Sequence, residues 1–416
     1  MPFRSVRRIL RLGSSRLRRW LCWLCWLTGG SWKRTLAAVA LMAALAGMGG
    51  FVFVSLGLVS ISASSGHWKA SGWLLHYAMR RAVSTQSMGI EVPPLDDPAL
   101  VLKGAGHYET GCAICHGAPG RERSPIVRGM TPEPPTLAPR IRQWEPQELF
   151  WIVKHGIKYT AMPAWPAANR DDEVWAMVAF LQALPEMSEQ RYRELALNVR
   201  AENRESASAG RLGSPKGALE TVLADCSRCH GADGGGRGDG AVPRLAGQSE
   251  AYLLGTLQAY ASGKRHSGIM QPVAAGLEPQ LLKAAAKHYA ELSVTAIADD
   301  STVAPEVLAH GKRLAELGIP ERGVPSCVHC HGPKRAPRNP MYPDIAGQYA
   351  RYLKQQLDLF TAGSRGGSEY VHIMHSAAQR LTPEQIQALA DYYASLPPAE
   401  MATLTAEPAA TLQPQR

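Results

Sequence analysis

The 416-residue chain is 45% hydrophobic with a mean hydropathy of −0.16, which excludes a disordered chain and a many-spanning membrane protein and leaves room for roughly three domains. Its formal charge of +10 is lopsided: residues 1–34 hold nine Lys/Arg and no acid, so the rest carries +1. The pI near 9.3 is a property of the N-terminus, which argues against a nucleic-acid-binding face.

Leu36–Ile61 follows as 26 residues without a charge. A helix of that length reaches about 39 Å, enough to cross a bilayer core of about 30 Å with some tilt. It exceeds the 7–15 apolar residues of about the usual signal peptide, and Ile61-Ser62-Ala63 is a poor cleavage site. The run therefore reads as a retained anchor. All nine of the early basic residues lie before it, so the positive-inside rule predicts a cytoplasmic N-terminus and residues 63–416 on the periplasmic side of the inner membrane. Trp20, Trp23, Trp26 and Trp32 before the run form an expected interfacial segment. Trp68, Trp73, Leu74, Leu75 and Tyr77 after it suit either a second interfacial helix or a packed connector.

The eight cysteines fall into four C-x-x-C pairs, and three are followed at once by histidine. These are Cys112-Ala-Ile-Cys115-His116, Cys226-Ser-Arg-Cys229-His230 and Cys327-Val-His-Cys330-His331. C-x-x-C-H is the attachment signal for c-type haem: two thiols add to the vinyl groups and the adjacent imidazole reaches the iron. Disulfides would not explain the histidines. Zinc would need two pairs, or a pair and two histidines, in one small module, whereas the first cysteines stand 114 and 101 residues apart. The sequence thus predicts three covalent haem c groups. Cys22-Trp-Leu-Cys25 lacks a following histidine and is read as holding no cofactor.

Each block carries a methionine 40–46 residues beyond its signature histidine: Met162, Met270 and Met374. A repeated position there marks the sixth iron ligand, which in sulfur form raises the potential and suits electron transfer. Met130 and His155 are the other candidates in the first block, and His372 and His375 compete with Met374. Pro135, Pro243 and Pro343 follow the signature histidines by 12 to 19 residues. A backbone carbonyl there is placed to take the proton of the far ring nitrogen.

Helices are predicted before each signature, over about residues 98–110, 215–225 and 303–317, and at the end of each block, over 171–184, 278–292 and 382–396. Thr382-Pro-Glu-Gln385 is a capping signal. Blocks two and three repeat one another: Ala246-Gly247-Gln248 with Ala346-Gly347-Gln348, Tyr252-Leu253 with Tyr352-Leu353, and Gly263 and Arg265 with Gly363 and Arg365. The reading is all-α: three tandem modules behind one transmembrane helix. Its expected boundaries are a basic segment 1–35, the span 36–62, a connector 63–95, modules at 96–205, 206–297 and 298–398, and a tail 399–416, with polar linkers at 186–214 and 294–304.

On these motifs the chain resembles the class I cytochromes c. Residues 206–398, with their A-G-Q, Tyr-Leu and Gly-x-Arg elements, are similar to the dihaem cytochrome c4 group, and residues 96–185 to a single-haem module with a Met-Pro-x-Trp ligand loop. Cytochrome c4 resemblance implies that modules two and three pack as a pseudo-twofold pair. Three tandem modules also resemble the triple-haem cytochrome subunits of membrane-bound alcohol and gluconate dehydrogenases, which differ in having a C-terminal attachment. The expected function is single-electron relay, not enzymatic turnover. The donor would be a dehydrogenase or quinol-oxidising complex, and the acceptor a terminal oxidase or soluble cytochrome. The competing readings are the haem subunit of a periplasmic dehydrogenase, a peroxidase or sulfur-compound oxidase with one catalytic haem, and a structural or gas-sensing membrane protein.

Overall fold

The computed structural model describes residues 32–58, 60–199, 217–237, 240–294, 303–332, 339–367 and 370–398. Cys22, Cys25 and the tryptophans before Trp32, together with the tail, lie outside them. No strand forms among the described residues; three isolated bridges are the only β contacts there. The chain divides into two compact units, Met1–His67 and Trp68–Arg416.

In the first unit, α1 (Trp32–Ser55) is one helix of 24 residues with a mean hydropathy of 2.2 in its most apolar window. By length and composition it is able to cross a membrane. It starts before the uncharged run and stops short of Ile61, where Gly57 turns the chain at φ 68°.

The second unit opens with α2 (Lys69–Gln86), one half of it packed and the other exposed. Its C-terminal half packs on the first module through buried Val83 and through Arg80 over the Trp144 ring at 4.9 Å. Its N-terminal half exposes Trp73, Leu74, Leu75 and Tyr77, with Trp73 and Tyr77 stacked at 5.6 Å.

Module one contains α3 (Pro98–His107), α4 (Ala113–His116), α5 (Pro125–Arg128), α6 (Pro146–His155), α7 (Asp171–Ala183) and α8 (Glu189–Leu197). The α3 helix starts where Asp97 accepts the Ala99 N–H, and it ends early in a π-helical turn, Tyr108–Cys112, that leads into the signature. It crosses α7 closely at Gly104, where a Cβ would stand 2.6 Å from that of Phe180. The core is Tyr108, Val174, Met177, Val178 and Phe180. The segment expected as a polar linker instead begins with α8, because Tyr192, Leu195 and Ala196 form one apolar face that closes this core.

Modules two and three repeat one plan. The former has α9 (Ala218–His230), α10 (Glu250–Ala261), α11 (Met270–Ala275) and α12 (Pro279–Ala290). The latter has α13 (Pro305–Leu317), α14 (Val328–His331), α15 (Ala350–Thr361), α16 (Val371–Ala378) and α17 (Pro383–Ser395). The Thr382/Gln385 capping box forms as the sequence indicates. Gly311 permits the α13–α17 crossing as Gly104 does in module one: a Cβ there would stand 2.7 Å from that of Tyr392. The α9 helix runs unbroken into its signature, whereas in module three Gly318 ends α13 ten residues before its signature.

Candidate functional site

Each signature ends a helix, which places its histidine at a helix C-terminus beside the two thiols. All three histidines then make the same bond. His116 Nδ1 meets the Pro135 carbonyl at 2.8 Å, His230 Nδ1 the Pro243 carbonyl at 3.2 Å, and His331 Nδ1 the Pro343 carbonyl at 3.0 Å. With the carbonyl accepting, the Nδ1–H tautomer is selected and the Nε2 lone pair is left for a metal. Burial lowers the pKa of His116 and His230 from the ordinary imidazole value, against the opposing carbonyl bond, and so favours the neutral form that ligation requires. None of the six signature cysteines is joined in a disulfide. Burial pushes the Cys112 thiol up to about 12 and those of Cys226 and Cys327 up to about 11. Among the described residues no three His, Cys, Asp or Glu come together as a metal site.

One cavity of about 590 Å³ is lined by both the second and third signatures, Cys226, Cys229 and His230 with Cys327, Cys330 and His331, and by Met270 and Met374. Its walls are mostly apolar side chains such as Leu253, Leu353, Leu389 and Tyr289. Cations are set into them, Arg244 and Arg265 buried and Arg365 half-buried. Arg265 donates to Tyr352 Oη at 3.2 Å and lies 4.7 Å from the Tyr260 ring centroid. Arg365 lies 4.2 Å from the Phe360 ring centroid, and its Nε has no protein partner. Burial and the Arg265 charge both lower the Arg365 pKa. Arg244 leaves Nε and Nη2 unpartnered too. An apolar slot with thiols, imidazoles, thioethers and unpaired guanidiniums suits a flat, hydrophobic, dianionic macrocycle with a central metal. The residues present fit haem c.

Met270 begins α11 and Met374 lies in α16, both facing the cavity. The competing His375 is turned away, its Nε2 held 2.8 Å from the Arg365 carbonyl, and neither it nor His372 lines the cavity. In module one Met162 sits in the loop between α6 and α7, where Trp165 N–H bonds the Lys154 carbonyl and Ile157 N–H the Met162 carbonyl. His155 faces a separate surface groove with Trp151 and Lys154.

The A-G-Q repeat has a role that its sequence did not disclose. Gln348 crosses to module two, accepting from the Arg244 N–H at 3.1 Å and donating to the Arg244 carbonyl at 3.0 Å. Gln248 crosses the other way to Asp344 N–H at 3.1 Å, and its amide donates to the Asp344 carbonyl. Arg244 and Asp344 directly follow the prolines that hold His230 and His331. Each module thus braces the histidine loop of the other.

Sequence reasoning also missed the buried polar group of module one. Arg170 pairs with Asp172 at 2.8 Å and with Glu173 at 2.9 Å, and donates to the His266 carbonyl at 2.7 Å. Burial raises the Asp172 pKa, but Arg170 and Lys103 outweigh it and hold the carboxyl at about 2. His107 lies tilted against Trp165 with ring centroids 4.6 Å apart, lines the cavity and leaves Nδ1 unpartnered. Burial lowers it to about 4. Arg237 of module two caps the C-terminus of α8 through the Glu194 and Leu195 carbonyls at 2.8 and 3.2 Å. Apart from the local pairs of Arg170 with Asp172 and Glu173, these contacts are long-range in sequence, and lone polar residues gave no signal of them.

A family model described as cytochrome c matches residues 219–298 and 308–397, and one described as cytochrome c oxidase, cbb3-type, subunit III matches residues 99–181. The thiosulfate dehydrogenase electron acceptor of Stutzerimonas stutzeri (strain A1501) is 34% identical over 204 residues, 49% of this chain and 91% of that protein. Cytochrome c4 of Pseudomonas aeruginosa is 34% identical over 42% of this chain and 86% of its own. Reduced recombinant cytochrome c4 from Pseudomonas stutzeri, a solved structure, is 29% identical at a TM-score of 0.38, covering 44% of this chain and 100% of that one.

Proposed function

We propose, from the premise that this chain belongs to the class I cytochromes c and is an electron-transfer protein carrying haem c, that it is a membrane-anchored relay with three such groups. In this reading Cys112/Cys115, Cys226/Cys229 and Cys327/Cys330 are the attachment points. His116 with Met162, His230 with Met270, and His331 with Met374 would hold the three irons. The carrying observation is the identical imidazole-to-proline bond at all three signatures. When bound, the group supplies one-electron chemistry between ferric and ferrous iron. The chain's part is to hold each imidazole as the Nδ1–H tautomer, to present a thioether from a loop or helix start, and to keep water from the apolar slot.

The α1 helix is the anchor in this proposal, with the haem modules on the periplasmic side of the inner membrane. The donor is a periplasmic dehydrogenase, and the relatives named as acceptors of thiosulfate dehydrogenase favour one of that kind. The acceptor is a terminal oxidase of the respiratory chain, supported by the oxidase-subunit match of module one. Mass spectrometry of the full chain extracted from membranes should give the polypeptide plus three haem masses, and rapid mixing with a reduced thiosulfate dehydrogenase should reduce them. Fewer than three adducts would overturn the triple-haem reading. Release of an α1-intact chain by a high-salt wash would overturn the anchor.

A further inference from the structure

We infer that Glu173 of module one is a positioning residue for Met270 of module two, so that one module sets the sulfur ligation of the next. The inference rests on the reading of Met270 as an axial ligand. Glu173 is 2% exposed and lies in the first turn of α7. Its Oε1 accepts from Ser267 Oγ at 2.7 Å, and its Oε2 accepts from the Gly268 N–H at 2.6 Å and the Trp165 indole N–H at 3.3 Å. Arg170, itself 6% exposed, pairs with it at 2.9 Å and also ties down the His266 carbonyl. Ser267 Oγ then accepts from the Met270 N–H at 3.0 Å and the Ile269 N–H at 3.2 Å. A continuous chain of bonds runs from the carboxylate through one hydroxyl to the backbone of the proposed ligand.

Packing reinforces it. A Cβ at Gly268 would overlap the indole of Trp165, so the loop lies directly on that ring. Trp165 is three residues beyond Met162, and Gly268 two residues before Met270. The two proposed ligand loops therefore touch, and a change in one bears on the other. A buried carboxylate would cost several kcal/mol unless satisfied; three donors and a guanidinium satisfy this one. Module two supplies two of those donors, both from residues that precede Met270.

The test uses the full-length haem-loaded protein, with imidazole as the competing ligand and the sulfur-to-iron charge-transfer band of the ferric state as a second readout. Met270→Ala first identifies the component that belongs to module two, by losing about a third of the band if each of the three sites contributes equally. Glu173→Gln and Ser267→Ala should then each raise imidazole affinity about ten-fold at that same component and no other, the scale of one charge-assisted bond. Ser267→Thr should restore it. If Met270→Ala moves one component while Glu173→Gln and Ser267→Ala leave it within about two-fold of the parent, the positioning role is wrong and the ligand stands. Equal shifts at all three components would likewise overturn it, as general loosening. If Met270→Ala moves nothing, the ligand assignment itself fails, and the inference with it.

Discussion

Gln348→Leu replaces a side chain of similar volume and removes the brace from module three to the histidine loop of module two. Gln348 is 5% exposed, and it satisfies both the N–H and the carbonyl of Arg244 at 3.1 and 3.0 Å. Neither group has water as a ready substitute at this depth. A neutral bond contributes about 1 kcal/mol net, and a buried backbone group left unpaired costs about 1–3 kcal/mol. The substitution should therefore destabilise the paired modules by about 2–4 kcal/mol, a fall of roughly 5–10 °C in the unfolding midpoint for a unit of this size. Thermal unfolding of the haem-loaded protein, followed together by far-ultraviolet circular dichroism and Soret absorbance, measures it. Gln248→Leu should behave alike, since it makes the reciprocal bonds to Asp344. The two losses should be less than additive, because opening the seam once removes both braces. A midpoint shift below about 1 °C in both single variants would refute the reasoning.

Three further outcomes are expected. Met374→Ala should lower one of the potentials in a redox titration, whereas His375→Ala should leave all of them in place, because His375 is occupied by the Arg365 carbonyl. Lowering by His375→Ala would reverse the assignment. Asp172 is held below its ordinary 3.8, at about 2. Its contribution is therefore fully present above pH 4 or so, and is lost as pH falls through that lower value. It amounts to about 2 kcal/mol. Urea unfolding at pH 6 and pH 2.5, compared between the parent and Asp172→Asn, reads it; a variant with the same acid loss as the parent would contradict it. Gly104→Leu should destabilise module one by about 3 kcal/mol or more, since the added carbons meet Phe180 and the Ala176 carbonyl and α3 must lift from α7. Gly311→Leu should do the same to module three through Tyr392, and chemical unfolding with a local fluorescence or haem signal separates the two.

What was legible in the sequence shares one property: it is local. The signatures, the capping box at Thr382 and the apolar stripes of α7, α12 and α17 are set by residues within a few turns of one another. The prolines were legible too, because a carbonyl 12 to 19 residues on is fixed in place by the same loop that leaves the histidine. The α8 helix was misread because its polar residues outnumber the three that pack. An average over the segment hides an i, i+3, i+4 face when it is that narrow. The choice between Met374 and its flanking histidines was open, since neighbours on a helix differ by about 100° in direction and only the packed fold says which one faces inward.

The polar contacts between modules were illegible for a different reason. Gln248 and Gln348 were visible as a repeat, yet a repeat says only that two modules use a residue alike, not that each uses it on the other. Glu173 had no repeat to mark it, and a lone acid near a helix start is most often a surface charge that favours the dipole. Its function comes from burial, and burial comes from the way module one lies across the loop of module two. The same physics accounts for both findings. A buried carboxylate or amide is tolerated only where its bonds are complete, so each such group demands one particular arrangement of the chain segments it joins. In this protein the segments so joined are the loops that carry the candidate iron ligands. The most demanding polar interactions are therefore spent on holding ligand loops across module boundaries. An electron carrier whose potentials depend on ligand geometry gains from that placement, since a loop held from outside its own module responds to the docking of the whole assembly.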